Sequence, residues 1–232
     1  MLKGKYKHLF FDLDHTLWDF DSNSVDTLVE LFDNYQFDRF FDSFETFHHD
    51  YEKHNALLWN LYRQGKIKKE ELNFERFHRP LAAAGCTDVD LAKKFGQDYL
   101  TISPTKTALL PHALDVLNYL KAQYKLYIIS NGFNEVQHRK IELCGIKEYF
   151  TKIYISDLLG IHKPNRDFFD YMIKSSNAKK NECLVIGDSL EADIEGAMNA
   201  GVDAIFYNSR AIVHDNDNIL EISSLAELKN LL

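Results

Sequence analysis

The residues able to do chemistry fall where short apolar runs stop. The first is His8-Leu-Phe-Phe-Asp12-Leu-Asp14-His15-Thr16-Leu17, an apolar run that ends in two carboxylates two positions apart. Leu9, Phe10 and Phe11 have the length of a buried strand, and a period of two puts Asp12 and Asp14 on one side of an extended chain. Carboxylates sharing a small volume repel and shift each other's pKa unless a cation or a shared proton intervenes. The pair is therefore a candidate metal or acid/base site; the alternative is an Asp-rich turn that caps the next helix.

Three more apolar runs end the same way. After Leu126–Ile129 come Ser130-Asn131-Gly132, offering a hydroxyl, an amide and a flexible backbone. Beyond Ile153–Ile155 and Ser156-Asp157 lies Lys163-Pro164, and after Cys183–Ile186 comes Gly187-Asp188-Ser189-Leu-Glu191-Ala-Asp193. Singly, these read as a turn, a solvated lysine and a helix N-cap. Together they supply acids for a hard cation, and a hydroxyl, an amide and a lysine for an anion. Those are the groups that phosphoryl transfer needs.

Strands must position these groups, because ligands of open parallel sheets bind beyond the strands' carboxyl ends. From Pro111 onward apolar runs alternate with helical stretches: helix 111–123, run 126–129, helix 134–143, run 153–155, helix 165–175, run 183–186, helix 190–199 and run 202–207. With the first run this makes five strands of a parallel, doubly wound α/β sheet. Residues 15–103 follow a different period. Phe44, Phe47, Tyr51, His54, Leu58 and Tyr62 recur at steps of three and four up to Gly65, Leu72, Phe74, Phe77 and Leu81 form a second such face before Gly85, and a third stretch runs from Asp88 to Leu100. Aromatics crowd residues 32–77, as a separate small core would require. The expected organisation is a catalytic core of residues 1–14 and 104–232 interrupted by a helical cap domain of residues 15–103.

The 232 residues are 45% hydrophobic and carry a net charge of −8, which disfavours a nucleic-acid polymer or an anionic membrane as partner. Cys86, Cys144 and Cys183 lie far apart without metal-ligand spacing, and the first apolar run is too short for a signal peptide. A cytoplasmic location is expected. No oligomeric state follows from the sequence.

Asp12-x-Asp14-x-Thr16, Ser130-Asn131-Gly132, Lys163-Pro164 and Gly187-Asp188-Ser189-x-x-x-Asp193 resemble the four ordered motifs of the haloacid dehalogenase-like (HAD) hydrolase superfamily. The insertion after the first motif resembles that superfamily's type 1 helical cap. The string Phe11-Asp12-Leu-Asp14-His15-Thr-Leu-Trp18-Asp19, with Ser130-Asn-Gly-Phe133, looks closest to the pyrimidine 5′-nucleotidase branch. The resemblance implies a Rossmann-type core in which Asp12 is the nucleophile, forming an aspartyl-phosphate, and Asp14 the general acid/base. It implies Mg2+ held by the Asp12 carboxylate, the Asp14 backbone carbonyl and Asp188, with Asp193 in or near the shell. Ser130, Asn131 and Lys163 would bind the phosphoryl group of a small phosphorylated metabolite, a nucleotide by branch. An acid that protonates a leaving group at working pH requires a raised pKa, so Asp14 is expected to sit above the usual carboxylate range.

Three positions depart from the common pattern: His15 replaces a glycine, Ala192 an asparagine, and Asn165-Arg166 an acid-proline pair. Specificity should reside in the cap, where Trp59 and Arg63 are the candidates, with His54 and Lys66 nearby. The competing readings are a phosphoglycolate or sugar-phosphate phosphatase, a 2-haloacid dehalogenase, and a phospho-accepting signalling domain. Asp14 disfavours the dehalogenase and the long insertion disfavours the signalling domain.

Overall fold

His8-Leu-Phe-Phe is apolar enough to be enclosed on both faces, and it forms the central strand β1 (His8–Phe11). In the computed structural model, which describes residues 2–232, β1 pairs in parallel with β2 (Lys125–Ser130) on one side and β4 (Cys183–Gly187) on the other. Strands β3 (Phe150–Ile155), β5 (Asp203–Tyr207) and β6 (Leu220–Ile222) complete a parallel sheet of order β3-β2-β1-β4-β5-β6. Alternation sorts the side chains between two apolar clusters. Leu9, Phe11, Ile128 and Ile186 join one, whereas Phe10, Tyr127, Ile129 and Val185 join the other.

The five-strand expectation is corrected by β6, which is three residues long with only Ile222 buried, so it carries no apolar run. β3 begins before Ile153, because Thr151 and Lys152 are exposed on an edge strand. The helix expected over 190–199 opens as a π-helical turn at Leu190–Glu195 before the α-helical Gly196–Asn199.

The chain divides into two compact units, Met1–Phe20 with Thr107–Leu232, and Asp21–Lys106. The expected boundaries at 14/15 and 103/104 thus move to 20/21 and 106/107. Residues 15–20 stay with the sheet because Leu17 and Trp18 are fully buried beside Leu13, and the Leu110 N–H donates to the Leu17 carbonyl at 2.9 Å.

The second unit holds α2 (Phe44–Arg63), α3 (Lys69–Ala83), α4 (Val89–Ile102) and most of α1 (Phe20–Asn34). Its core is aromatic. Phe37 stacks on Phe95 at 4.7 Å between ring centroids and Tyr51 on Phe77 at 5.2 Å, both within the expected aromatic stretch or against α4. Offset and edge contacts of this kind add to the area that large rings bury.

Candidate active site

The functional side chains of the first unit lie just beyond the carboxyl ends of its central strands. Asp12 follows β1, with its N–H donating to the Ile186 carbonyl of β4 at 2.9 Å, so the ladder holds the nucleophile candidate one residue past the strand. Lys163 Nζ donates to Asp12 Oδ1 at 2.7 Å, to Asp193 Oδ1 at 2.6 Å and to the Ile129 carbonyl of β2 at 3.2 Å. Carboxylate oxygens of Asp12, Asp188 and Asp193 lie within 4.8 Å of one another, and all three residues are buried.

The electrostatics of this cluster are unbalanced. Burial pushes the Asp12 carboxyl well above the usual carboxylate range; Lys163 opposes the rise, and repulsion from Asp193 and Asp188 adds to it. Burial, then Asp193, pushes Asp188 up to about 6. Burial alone would lower the Lys163 pKa, but the charges of Asp12 and Asp193 outweigh it and keep the ammonium protonated. Arg210 also pairs with Asp188, and Thr16 Oγ1 donates to Asp188 Oδ1 at 3.4 Å. Three acids of hard oxygen character, two of them held up in pKa by burial and mutual repulsion, fit a divalent cation.

The sequence left Gly187-Asp188-Ser189 open between an acid site and a helix cap, and it is both. Ser189 Oγ accepts from the Ala192 N–H at 3.1 Å, while Asp188 faces the acidic cluster. Asp193 is held by Lys163 on Oδ1 and by the Ser189 N–H on Oδ2 at 3.2 Å. A Cβ at Gly187 would collide with the Asp193 carboxylate, so only glycine lets that acid fold back over β4.

Asp14 is held by a different set of donors from Asp12. Its Oδ1 accepts from Lys140 Nζ and its Oδ2 from Gln137 Nε2, both at 2.6 Å. Both donors belong to α6 (Asn134–Leu143), which follows α5 (Ala113–Leu120) and β2 in the chain. Burial acts to raise the Asp14 pKa, but the Lys140 charge and the hydrogen bonds from Lys140 and Gln137 outweigh it, so the carboxyl lies below the usual range. The expectation of a raised pKa is overturned for this geometry. His15, at the position usually glycine, adopts φ 61°, in the left-handed region that favours glycine.

Ser130 Oγ accepts from the Gly132 N–H at 3.1 Å and from Gln137 Nε2 at 2.6 Å. Asn131 spends both ends of its amide on Lys163: Nδ2 donates to the Lys163 carbonyl and Oδ1 accepts from the Lys163 N–H, each at 2.9 Å. It thus fixes the loop that carries Lys163, whose peptide to Pro164 is cis. Beyond the one-turn α7 (Ser156–Leu159), Asn165, replacing an acid, caps α8 (Arg166–Ser175) by accepting from the Asp167 N–H at 2.9 Å. Trp59 and Arg63 lie on α2 in the second unit, where Trp59 meets Tyr62 edge-on at 5.7 Å.

Gln137, Lys140 and Arg210 were not legible as site residues. On an amphipathic reading of 134–143, polar residues belong to the solvated face, and Arg210 sits in a loop without a motif.

A sequence profile of haloacid dehalogenase-like hydrolases matches residues 6–201. The chain belongs to this hydrolase family. It is 32% identical over 231 residues to the pyrimidine 5′-nucleotidase YjjG of Escherichia coli, covering 98% of each chain. To the pyrimidine 5′-nucleotidase PynA of Streptococcus pneumoniae it is 35% identical over 208 residues, 88% of this chain and 84% of that one. Among solved structures, Bacillus subtilis YfnB in a magnesium-bound form superposes with a TM-score of 0.86 at 28% identity, over 98% of both chains.

Proposed function

We propose that this hydrolase is a magnesium-dependent phosphatase of small phosphomonoesters, with pyrimidine nucleoside 5′-monophosphates as its preferred class. The observation that supports the phosphatase reading is Lys163 Nζ bridging Asp12 and Asp193 beside Asp188, an arrangement that would suit a nucleophile, a phosphate-binding cation and a cation site at one set of strand ends. The nucleotide preference rests on the two nucleotidase relatives, which match most of their length.

Lys163 holds Asp12 Oδ1, leaving Oδ2 with no hydrogen-bond donor among the described residues and free to attack phosphorus. As the Asp12 O–P bond forms, the ester P–O bond breaks and the departing alkoxide takes a proton from Asp14. Water then attacks the aspartyl-phosphate, its proton passes to Asp14, the acyl-phosphate P–O bond breaks and the Asp12 carboxylate is restored. Ser130 and Lys163 bind phosphoryl oxygens, while Asn131 acts through the Lys163 backbone. The Asp12 and Asp188 carboxylates, with the Asp14 carbonyl, would hold magnesium, and Asp193 keeps Lys163 in place from outside. When bound, the metal offsets the acids' charge and draws charge from the phosphoryl oxygens.

The lowered pKa of Asp14 suits the second step, in which it is a base. For the first step it must gain a proton, and the dianionic phosphoryl group arriving beside it is the like charge that raises a carboxyl pKa. Residues 21–106 carry Trp59 and Arg63 of α2, the side chains proposed to discriminate the base.

The test is a panel of phosphomonoesters ranked by kcat/KM with and without magnesium. UMP, dUMP and dTMP should exceed purine monophosphates, phosphoglycolate and hexose phosphates by about tenfold or more, the range that single pocket contacts provide. Trp59→Ala and Arg63→Ala should narrow that gap and spare p-nitrophenyl phosphate. A hexose phosphate or phosphoglycolate at the head of the ranking would reject the nucleotidase reading, and hydrolysis unaffected by chelation would reject the metal.

A further inference from the structure

We propose that Gln137 and Lys140 are positioning residues that aim the Asp14 carboxyl and, through Gln137, tie it to the phosphate-binding hydroxyl of Ser130. The proposal rests on Asp14 being the acid/base.

The first observation is how α6 uses its buried face. Its buried residues are Val136, Gln137, Lys140 and Ile141, so half of that face is polar, and Gln137 and Lys140 are 1% and 3% exposed. Burying an amide and an ammonium costs free energy unless each is paired. Both are paired with one carboxyl: Lys140 with Oδ1, Gln137 with Oδ2. With a donor fixed on each oxygen, rotation about the Asp14 Cβ–Cγ bond would break both hydrogen bonds, so the carboxyl plane is set from α6. Lys140 is itself seated. Its Nζ lies 3.7 Å from the centroid of the fully buried Trp18 ring and 5.5 Å from that of Phe20, a cation–π arrangement.

The second observation is the Gln137 amide, whose Nε2 donates to Asp14 Oδ2 and to Ser130 Oγ, each at 2.6 Å. An amide nitrogen has two hydrogens, and here each has its own acceptor. Ser130 Oγ then accepts twice, from Gln137 and from the Gly132 N–H, which fills both lone pairs and leaves its own hydrogen to donate outward. That hydrogen is what a phosphoryl oxygen needs. The packing keeps room for this reach, because a Cβ at Gly132 would stand 2.5 Å from the Gln137 amide. The glycine of Ser130-Asn131-Gly132 is therefore required by Gln137.

The consequence is specific to leaving groups. A misaimed acid slows departure of an alkoxide, which needs a proton, and not of an activated phenolate, which leaves without one. Gln137→Leu and Lys140→Met would be compared with wild type and Asp14→Asn by quench-flow. The signal is the burst of leaving group from p-nitrophenyl phosphate and from the alkyl phosphate that wild type hydrolyses fastest.

The expected result is an alkyl-ester burst slowed about 100-fold in each variant, the scale of a misplaced catalytic group. In Lys140→Met the p-nitrophenyl burst should stay within about fivefold, as an acid that is not needed implies, whereas Gln137→Leu, which also frees the Ser130 hydroxyl, should lose on both esters and more on the alkyl one. Equal losses on the two esters, or none on either, in folded variants would overturn the positioning role. Should either variant lose its far-UV circular dichroism, Gln137→Glu decides: it keeps the size and turns a donor into an acceptor facing Asp14, and an undiminished alkyl burst overturns the proposal. Asp14→Asn separates the two levels. If it keeps a fast alkyl burst, the acid/base reading fails; if it alone loses that burst, only the positioning fails.

Discussion

Asp188 carries charge that its side-chain neighbours do not fully compensate. Arg210 pairs with it, yet burial and Asp193 still push its carboxyl up to about 6, so a divalent cation would gain from binding there. Magnesium at a hundredfold excess over its dissociation constant would stabilise the wild type by about 2.7 kcal/mol, and Asp188→Asn should lose most of that stabilisation. Thermal melts of both proteins with and without magnesium check this; an undiminished shift in Asp188→Asn would remove that residue from the metal site. At this scale, the residues that announce themselves in the sequence do so because they follow apolar runs directly. Asp12, Ser130, Asn131 and Asp188 each stand within two residues of a strand end, and Lys163 and Asp193 come into contact with them. The protonation of Asp14 was not legible, because its two partners come from a helix face that the periodicity assigns to solvent.

The elements were readable to the extent that burial left a periodic mark. β1, β2 and β4 are enclosed on both faces and their apolar runs show it, whereas β6 pairs through Leu220–Ile222 with a single buried side chain. Likewise the π-helical opening at Leu190–Glu195 follows from Asp193 turning back to Lys163 and the Ser189 N–H, a tertiary demand that helix periodicity does not encode. The second unit was more legible, since its aromatic residues recur at helical steps and meet in one cluster. Phe37, fully buried, contacts Phe32, Tyr35, Phe40, Phe41, Phe47 and Phe95. Phe37→Ala should therefore cost about 3–5 kcal/mol, the range for deleting a buried ring. Urea denaturation would measure it, and a loss under about 1 kcal/mol would mean that the ring is not part of a close-packed core.

For the molecule as a whole, the net charge of −8 means that an anionic small-molecule substrate would have to be reached through local cations. Those cations are Lys163 and Lys140, buried in an otherwise acidic chain, each paired with one member of the first motif. In the proposed reaction the labour divides accordingly: Asp12 with Lys163 would carry the phosphoryl group, and Asp14 with Lys140 and Gln137 would handle the proton. Everything else in the proposed reaction depends on a bond between Asp12 and phosphorus. The direct measurement is to mix the Asp14→Asn variant, slowed in hydrolysing its phosphoenzyme, with p-nitrophenyl phosphate and magnesium, quench in acid, and locate the added phosphoryl group by peptide mass spectrometry. The expected result is stoichiometric phosphorylation on Asp12, absent in the Asp12→Asn, Asp14→Asn double variant. Phosphoryl label on any other residue, or a leaving-group burst in the double variant equal to that of Asp14→Asn, would contradict Asp12 as the nucleophile.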